Sequence, residues 1–146
     1  MKCKFVEEDL DIGLIISNVM KKLKKEEDVI LSKYGLTHFH SRYVVAINNH
    51  NLITMNELTE AIGVDKANTT RVVKDLLNSE VVEKSGGVRK FGLSLTNKGK
   101  QIAEEFKLKV TNFLKKVFKD FSELEVHNLK TLLEKMFLGI KNAIEV

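Results

Sequence analysis

The residues best suited to recognition chemistry lie between Asp65 and Asn78. Read as a helix, this stretch puts Val72, Val73, Leu76 and Leu77 on one wall. The opposite wall carries Ala67, Arg71, Lys74 and Asn78, with Lys66, Asn68 and Thr70 near its N-terminal end. An apolar back and a short, polar, basic front let a helix pack on a domain and enter a DNA major groove, its N-terminal side chains at base edges. A lone helix with a solvated face would look the same, so the weight rests on what precedes it.

What precedes it is a complete helix-turn-helix signature. Thr54 and Glu57 stand at capping-box spacing, and Ile53 and Leu58 at the spacing of a hydrophobic staple. Gly63 can end that first helix in a left-handed turn at no Cβ cost. Asp65 can cap the second helix and favours its positive end. Charge points the same way. Between Ile62 and Lys100, eight basic residues stand against four acidic ones, which leaves +4, the net charge of the whole chain. A local positive field beside a candidate reading helix favours a polyanionic partner.

The rest of the chain must position that unit. Its 146 residues suit a single domain that buries its own core. There is no proline, and apolar residues recur mostly at three and four, so the chain reads as mainly α-helical with a small β-hairpin. No apolar run approaches the ~18 residues of a membrane span. The N-terminus carries Glu7, Glu8, Asp9 and Asp11 and resembles no signal peptide, and the one cysteine, Cys3, has no intrachain partner. Both features fit a cytoplasmic protein.

Residues 6–34 read as one long helix with Ile12, Ile15, Ile16, Val19, Met20 and Leu23 as its apolar stripe. The run Lys21, Lys22, Lys24, Lys25, followed by Glu26, Glu27 and Asp28, reads as a solvated face with helical ion pairs. Gly35 ends that helix and Thr37 caps the next, which runs to about Asn49 with Phe39, Tyr43, Val44 and Ile47 inward. Leu52-Ile53 suffices for no more than an edge strand. Residues 80–85 and 88–95 flank Gly86-Gly87 as a hairpin, with Arg89 and Lys90 at its tip and the start of its return strand. A basic hairpin directly after a reading helix is a wing that can reach the DNA backbone or minor groove. Thr96 caps a helix over 97–120. Ser122 and Glu125 then repeat the capping box before a last helix with Leu129, Leu132, Leu133, Met136, Phe137 and Ile140 along it. The last two helices are expected to pair as an antiparallel hairpin with apolar surface to spare, which suggests a helical dimer interface.

In order and spacing, these elements resemble the multiple-antibiotic-resistance regulator (MarR) family of winged-helix transcription factors. The points that carry the likeness are Leu36-Thr37, Glu57-Leu58 with Gly63-Val64-Asp65, Thr70-Arg71, Val81-Val82 and Leu95-Thr96-Asn97-Lys98-Gly99-Lys100. The resemblance covers nearly the whole chain. It implies one domain over 1–146: helical dimerisation regions at 1–34 and 97–146, and a winged helix-turn-helix lobe at 36–96. It implies a homodimer on double-stranded DNA with a pseudo-palindromic operator, acting as a repressor. By position, Lys66, Ala67, Asn68, Thr70, Arg71 and Lys74 would face the major groove, and Arg89 and Lys90 the wing contact.

Three departures stand out. The hairpin is shorter than the usual wing, Gly87 replaces the aspartate that braces the wing arginine, and Thr69 sits where an apolar residue is usual. The last implies looser packing behind the reading helix. Family members respond to small aromatic acids held between the first two helices and the helix after the wing, and His38, His40, Arg42 and Tyr43 fall near that region. His38, His40, His50 and His127 lack the spacing of a zinc site, and Cys3 lies outside the position of the thiol-sensing branch. No nucleophile elbow, phosphate loop or metal-binding helix motif occurs, so neither enzyme, metal nor cofactor is expected. The alternative class is a winged-helix protein-interaction module that has lost sequence-specific DNA binding.

Overall fold

The computed structural model describes residue 4 and residues 7–87 and 89–144. Cys3 and Val88 lie outside the described residues. Two compact units divide the chain, Met1–Lys109 and Val110–Val146.

In the first unit a 3-10 turn over Glu7–Leu10 leads into α1 (Asp11–Leu31), and a second over Ser32–Tyr34 follows it. Gly35 closes this run with φ 69°. Then come α2 (His38–Asn48), β1 (Ile53–Thr54), α3 (Met55–Ile62) and α4 (Lys66–Asn78). The strands β2 (Val82–Gly86) and β3 (Phe91–Leu95) precede α5 (Asn97–Val117), which runs past Lys109 into the second unit. The sheet is antiparallel in the order β1-β3-β2, with Ile53 opposite Leu93 and Val82 opposite Leu95. The short edge strand expected at Leu52-Ile53 forms one residue later, as β1 over Ile53–Thr54. The hairpin closes later than the sequence suggests. Gly86 pairs with Phe91, so Arg89 and Lys90 sit in the turn and not on the return strand.

The core gathers Leu31, Leu36, Ile47, Ile53, Leu58 and Leu76 with Val81, Leu93 and Ile102, each at most 2% exposed. Burying one such side chain stabilises the fold by roughly 1.5–3 kcal/mol. Tyr43, Val44 and Ile47 point inward as expected, but Phe39 is 67% exposed. Leu36 takes the core position next to α2, and the Phe39 ring instead rests 4.1 Å from that of His38. Thr69 is fully buried, and its hydroxyl donates to the Asp65 carbonyl at 3.3 Å. The helix's own backbone satisfies the one polar atom added there.

The junction between the sheet and α5 explains Leu95-Thr96-Asn97-Lys98-Gly99. The Thr96 hydroxyl accepts from Gly99 N at 3.0 Å, which caps α5, and donates to the Glu80 carbonyl at 2.6 Å. Thr96 N donates to the Val81 carbonyl at 3.1 Å. Gly99 lies so close that a Cβ there would overlap that same carbonyl oxygen. The motif is a weld between the strand after α4 and the helix after the wing.

Along α1, Ile30 and Leu31 are buried, while Leu14, Ile15 and Val19 are each more than half exposed. In the second unit α6 spans Glu123–Ile144, entered by the predicted box: Glu125 N donates to Ser122 Oγ and Ser122 N to a Glu125 carboxylate oxygen. Phe118 and Phe121 meet edge to face at 5.0 Å. None of residues 110–144 is buried. The expectation of an antiparallel hairpin with apolar surface to spare is met in its second part and not in its first. Within this unit the helices seal no seam against each other, and Leu132, Phe137 and Leu138 stay more than half exposed.

Candidate nucleic-acid interface

The helix-turn-helix forms through the local chemistry its sequence encodes. Thr54 Oγ1 accepts from Glu57 N at 3.2 Å, and a Glu57 carboxylate oxygen accepts from Thr54 N at 3.1 Å. Gly63 adopts φ 74° and its N–H donates to the Thr59 carbonyl. Asp65 caps α4 by accepting from Asn68 N at 2.7 Å. Val73 and Leu76 anchor the back of α4 in the core.

On the front of α4, Lys66, Ala67, Thr70, Arg71 and Lys74 line one shallow concavity. These are five of the six residues expected to face a groove. The Thr70 hydroxyl donates to the Lys66 carbonyl at 2.9 Å. The sixth, Asn68, behaves differently. Its amide Nδ2 donates to Asp65 Oδ2 at 2.9 Å, and its Oδ1 accepts from Arg71 Nη2. Asn68 is half-buried and lines the other flank of α4. Arg89 and Lys90 stand exposed at the tip of the wing. Within the wing the Lys84 ammonium lies 4.4 Å from the centre of the Phe91 ring. This cation–π contact joins β2 to β3.

Behind the reading face lies a cleft of about 550 Å³ between α2 and α4. His38, His40, Arg42 and Tyr43 all line it, opposite Arg71 and Asp75. The four candidate effector residues are thus brought together, but against the reading helix. Arg42 alone of the four also lines a second cleft, of about 390 Å³, that reaches Phe106 on α5. Several polar groups around the first cleft have partners. His40 Nδ1 accepts from Thr37 N at 3.0 Å, so the histidine fills the role a Glu or Gln plays in a capping box. Its Nε2 lies 3.2 Å from Asp75 Oδ2, tying α2 to α4. Arg42 Nη2 donates to the Ile62 carbonyl at 3.1 Å, at the C-terminal end of α3. Asp28 reaches over from α1 to accept from His38 N at 2.7 Å, and that bond holds its carboxyl below the usual range. Glu27, which lines the second cleft, is shifted up by burial. Sequence reading missed Asp28 and Asp75, because their partners are far along the chain and no local spacing marks them. Among the described residues no three histidine, cysteine or acidic side chains converge on a metal-sized site. None of the described helices is long and apolar enough to cross a membrane.

A capped helix-turn-helix with a basic concave front, followed by a two-stranded wing, defines the winged-helix class. Residues 34–90 match the family model for the MarR family. The chain is 29% identical over 137 residues to the HTH-type transcriptional regulator BilQ of Clostridioides difficile, covering 92% of each. In structure it is similar to a MarR protein from Peptoclostridium difficile, with a TM-score of 0.84 at 21% identity, covering 98% of this chain and 96% of that one. It is likewise similar to a mutant MarR from E. coli complexed with operator DNA, with a TM-score of 0.78 at 25% identity, covering 92% and 99%. Over its winged-helix lobe and along most of its length the chain is thus similar to MarR-family transcription regulators.

Proposed function

We propose that the protein is a homodimeric repressor that reads a pseudo-palindromic duplex through α4 and releases it when a small aromatic acid binds. One observation carries the DNA reading. Lys66, Ala67, Thr70, Arg71 and Lys74 share a single concavity on a helix whose back is fixed in the core. Two such helices in a dimer would stand about 34 Å apart, one turn of DNA. The relative bound to operator DNA supports the same reading. Lys66, Lys74, Arg89 and Lys90 would take phosphates, Arg71 a guanine edge, and affinity would fall steeply with salt as counterions are released. A footprint of the purified protein on its own upstream DNA tests this. Binding no tighter than to a random duplex would sink the regulator reading.

The dimer rests on uncovered apolar surface. Leu132, Phe137 and Leu138 on α6, and Leu14 and Ile15 on α1, are each more than half exposed. Patches of that kind mark association surfaces. Sedimentation showing a stable monomer at micromolar concentration would remove the dimer. The effector reading rests on the cleft between α2 and α4, where Arg42 and Arg71 offer guanidinium groups beside the Tyr43 ring. Titrating benzoate into the protein–DNA complex should release DNA. Complexes unmoved at millimolar benzoate would exclude this class of effector.

A further inference from the structure

We infer that Asn68 is not a base reader but a positioning residue that, held by Asp65, fixes the guanidinium of Arg71 for reading. The inference rests on the DNA-reading function proposed above and assigns roles within it. An asparagine on the first turn of a reading helix is, by chemistry, a candidate for bidentate pairing with adenine. Here both ends of its amide are already engaged. Nδ2 donates to Asp65 Oδ2 at 2.9 Å, while Oδ1 accepts from Arg71 Nη2. The orientation of the amide follows from its neighbours. A carboxylate only accepts, so it must face Nδ2, and a guanidinium only donates, so it must face Oδ1. A flipped amide would put like groups together at both ends.

Asp65 therefore does two jobs with two oxygens. Oδ1 caps α4 by accepting from Asn68 N at 2.7 Å, and Oδ2 holds the Asn68 side chain. The spacing Asp65, Asn68, Arg71 advances by three residues each time, so the chain of bonds runs along one edge of the helix. Arg71 is exposed and lines the concave front. A long exposed side chain loses rotamer entropy when it binds. Tethering one terminal nitrogen leaves the other donors free and removes part of that loss before DNA arrives. The reading helix would then carry one arginine reader, set by a relay that begins at the helix cap.

The test is a double-mutant cycle on the full-length protein, with Asn68→Ala, Arg71→Ala and the pair. Affinity is measured on the protein's own upstream duplex and on a scrambled one. Asn68→Ala should lower the ratio of the two affinities about three- to tenfold and leave affinity for the scrambled duplex and its salt slope unchanged. In the Arg71→Ala background it should do nothing further, since a residue acting through Arg71 has nothing left to position. Additive losses would mark Asn68 as an independent reader and overturn the inference. Asp65→Ser, which keeps a capping oxygen and loses the second one, should copy Asn68→Ala in both backgrounds. A further readout needs no DNA. By NMR relaxation, the Arg71 Nε–H should be ordered in the native protein and mobile in Asn68→Ala. Equal mobility in both would overturn the relay even if the regulator reading holds. A native protein with an ordered Arg71 but no preference for its own duplex would refute the regulator reading, and with it the positioning role given to Asn68.

Discussion

Replacing Gly99 by Ala should be among the most damaging single-methyl changes in the chain. The added Cβ would overlap the Val81 carbonyl oxygen and stand 3.1 Å from the Val81 carbonyl carbon and 3.2 Å from Leu95 Cβ. Two of these three atoms are backbone, so no rotamer change relieves the overlap. Overpacking of this sort costs roughly 1–3 kcal/mol. Relief requires α5 to draw back from the sheet, which strains Thr96 N to Val81 O at 3.1 Å and Thr96 Oγ1 to Val81 O at 3.2 Å. Each of those bonds contributes on the order of 1 kcal/mol. Against this, alanine in place of glycine favours a helix by at most about 1 kcal/mol. The net expectation is a loss of about 2–4 kcal/mol. Gly13, on α1, is the control, because a Cβ there meets nothing within 4 Å. Gly13→Ala should be neutral or gain up to about 1 kcal/mol from propensity alone. Urea unfolding of all three proteins at one fixed concentration gives the comparison, with the midpoint shift read at constant m. If Gly99→Ala unfolds within error of the native protein, the weld between the sheet and α5 is not what fixes this glycine.

Three further outcomes follow from named contacts. Glu80 holds φ 59°, a left-handed conformation disfavoured for a side chain with a Cβ, so Glu80→Gly should raise stability by about 0.5–1 kcal/mol in the same urea assay. Asp28 accepts from His38 N at the start of α2, and this lowers its carboxyl from its ordinary 3.8. A depressed acid stabilises the fold above its unfolded-state value and loses that contribution as pH falls through the folded-state value. Asp28→Ala should therefore cost about 0.5–1 kcal/mol at pH 7, and the gap from native should close as pH falls below about 4, monitored by thermal melts across the acid range. Arg71→Ala should cost roughly 1–3 kcal/mol at one base step of the operator, whereas Lys90→Ala should weaken all duplexes alike and reduce the salt slope, both read by fluorescence anisotropy.

What could be read from the sequence was set by how far each interaction reaches. The boxes at Thr54–Glu57 and Ser122–Glu125, the turn at Gly63 and the cap at Asp65 join residues three or four apart, so the letters alone specify them. The same reach explains why the front of α4 was legible: its face follows from helical spacing once the back is apolar. Interactions with long sequence separation were not legible. Asp28 caps a helix ten residues away, His40 joins Asp75 across 35, and Tyr34 and Lys33 hold Glu105 across more than 70. Glu80 shows a different blind spot, since a left-handed turn usually advertises itself with glycine or asparagine and here it does not.

Asn68 shows why a correct face does not settle a role. Spacing places it beside Arg71 on the reading helix, and its chemistry suits adenine as well as it suits a neighbouring side chain. The difference lies in which partners reach it first. Asp65 and Arg71 are three residues away on either side, covalently held within reach, so they meet the amide at an effective concentration no base edge can match before binding. To read a base, Asn68 would have to break a charge-assisted bond at each end, and such bonds are about twice as strong as neutral ones. A base edge returns two neutral bonds for two charged ones. On that comparison the amide stays with its neighbours, and the direct readout proposed for this helix narrows to Arg71, with Lys66 and Lys74 expected on the phosphates beside it.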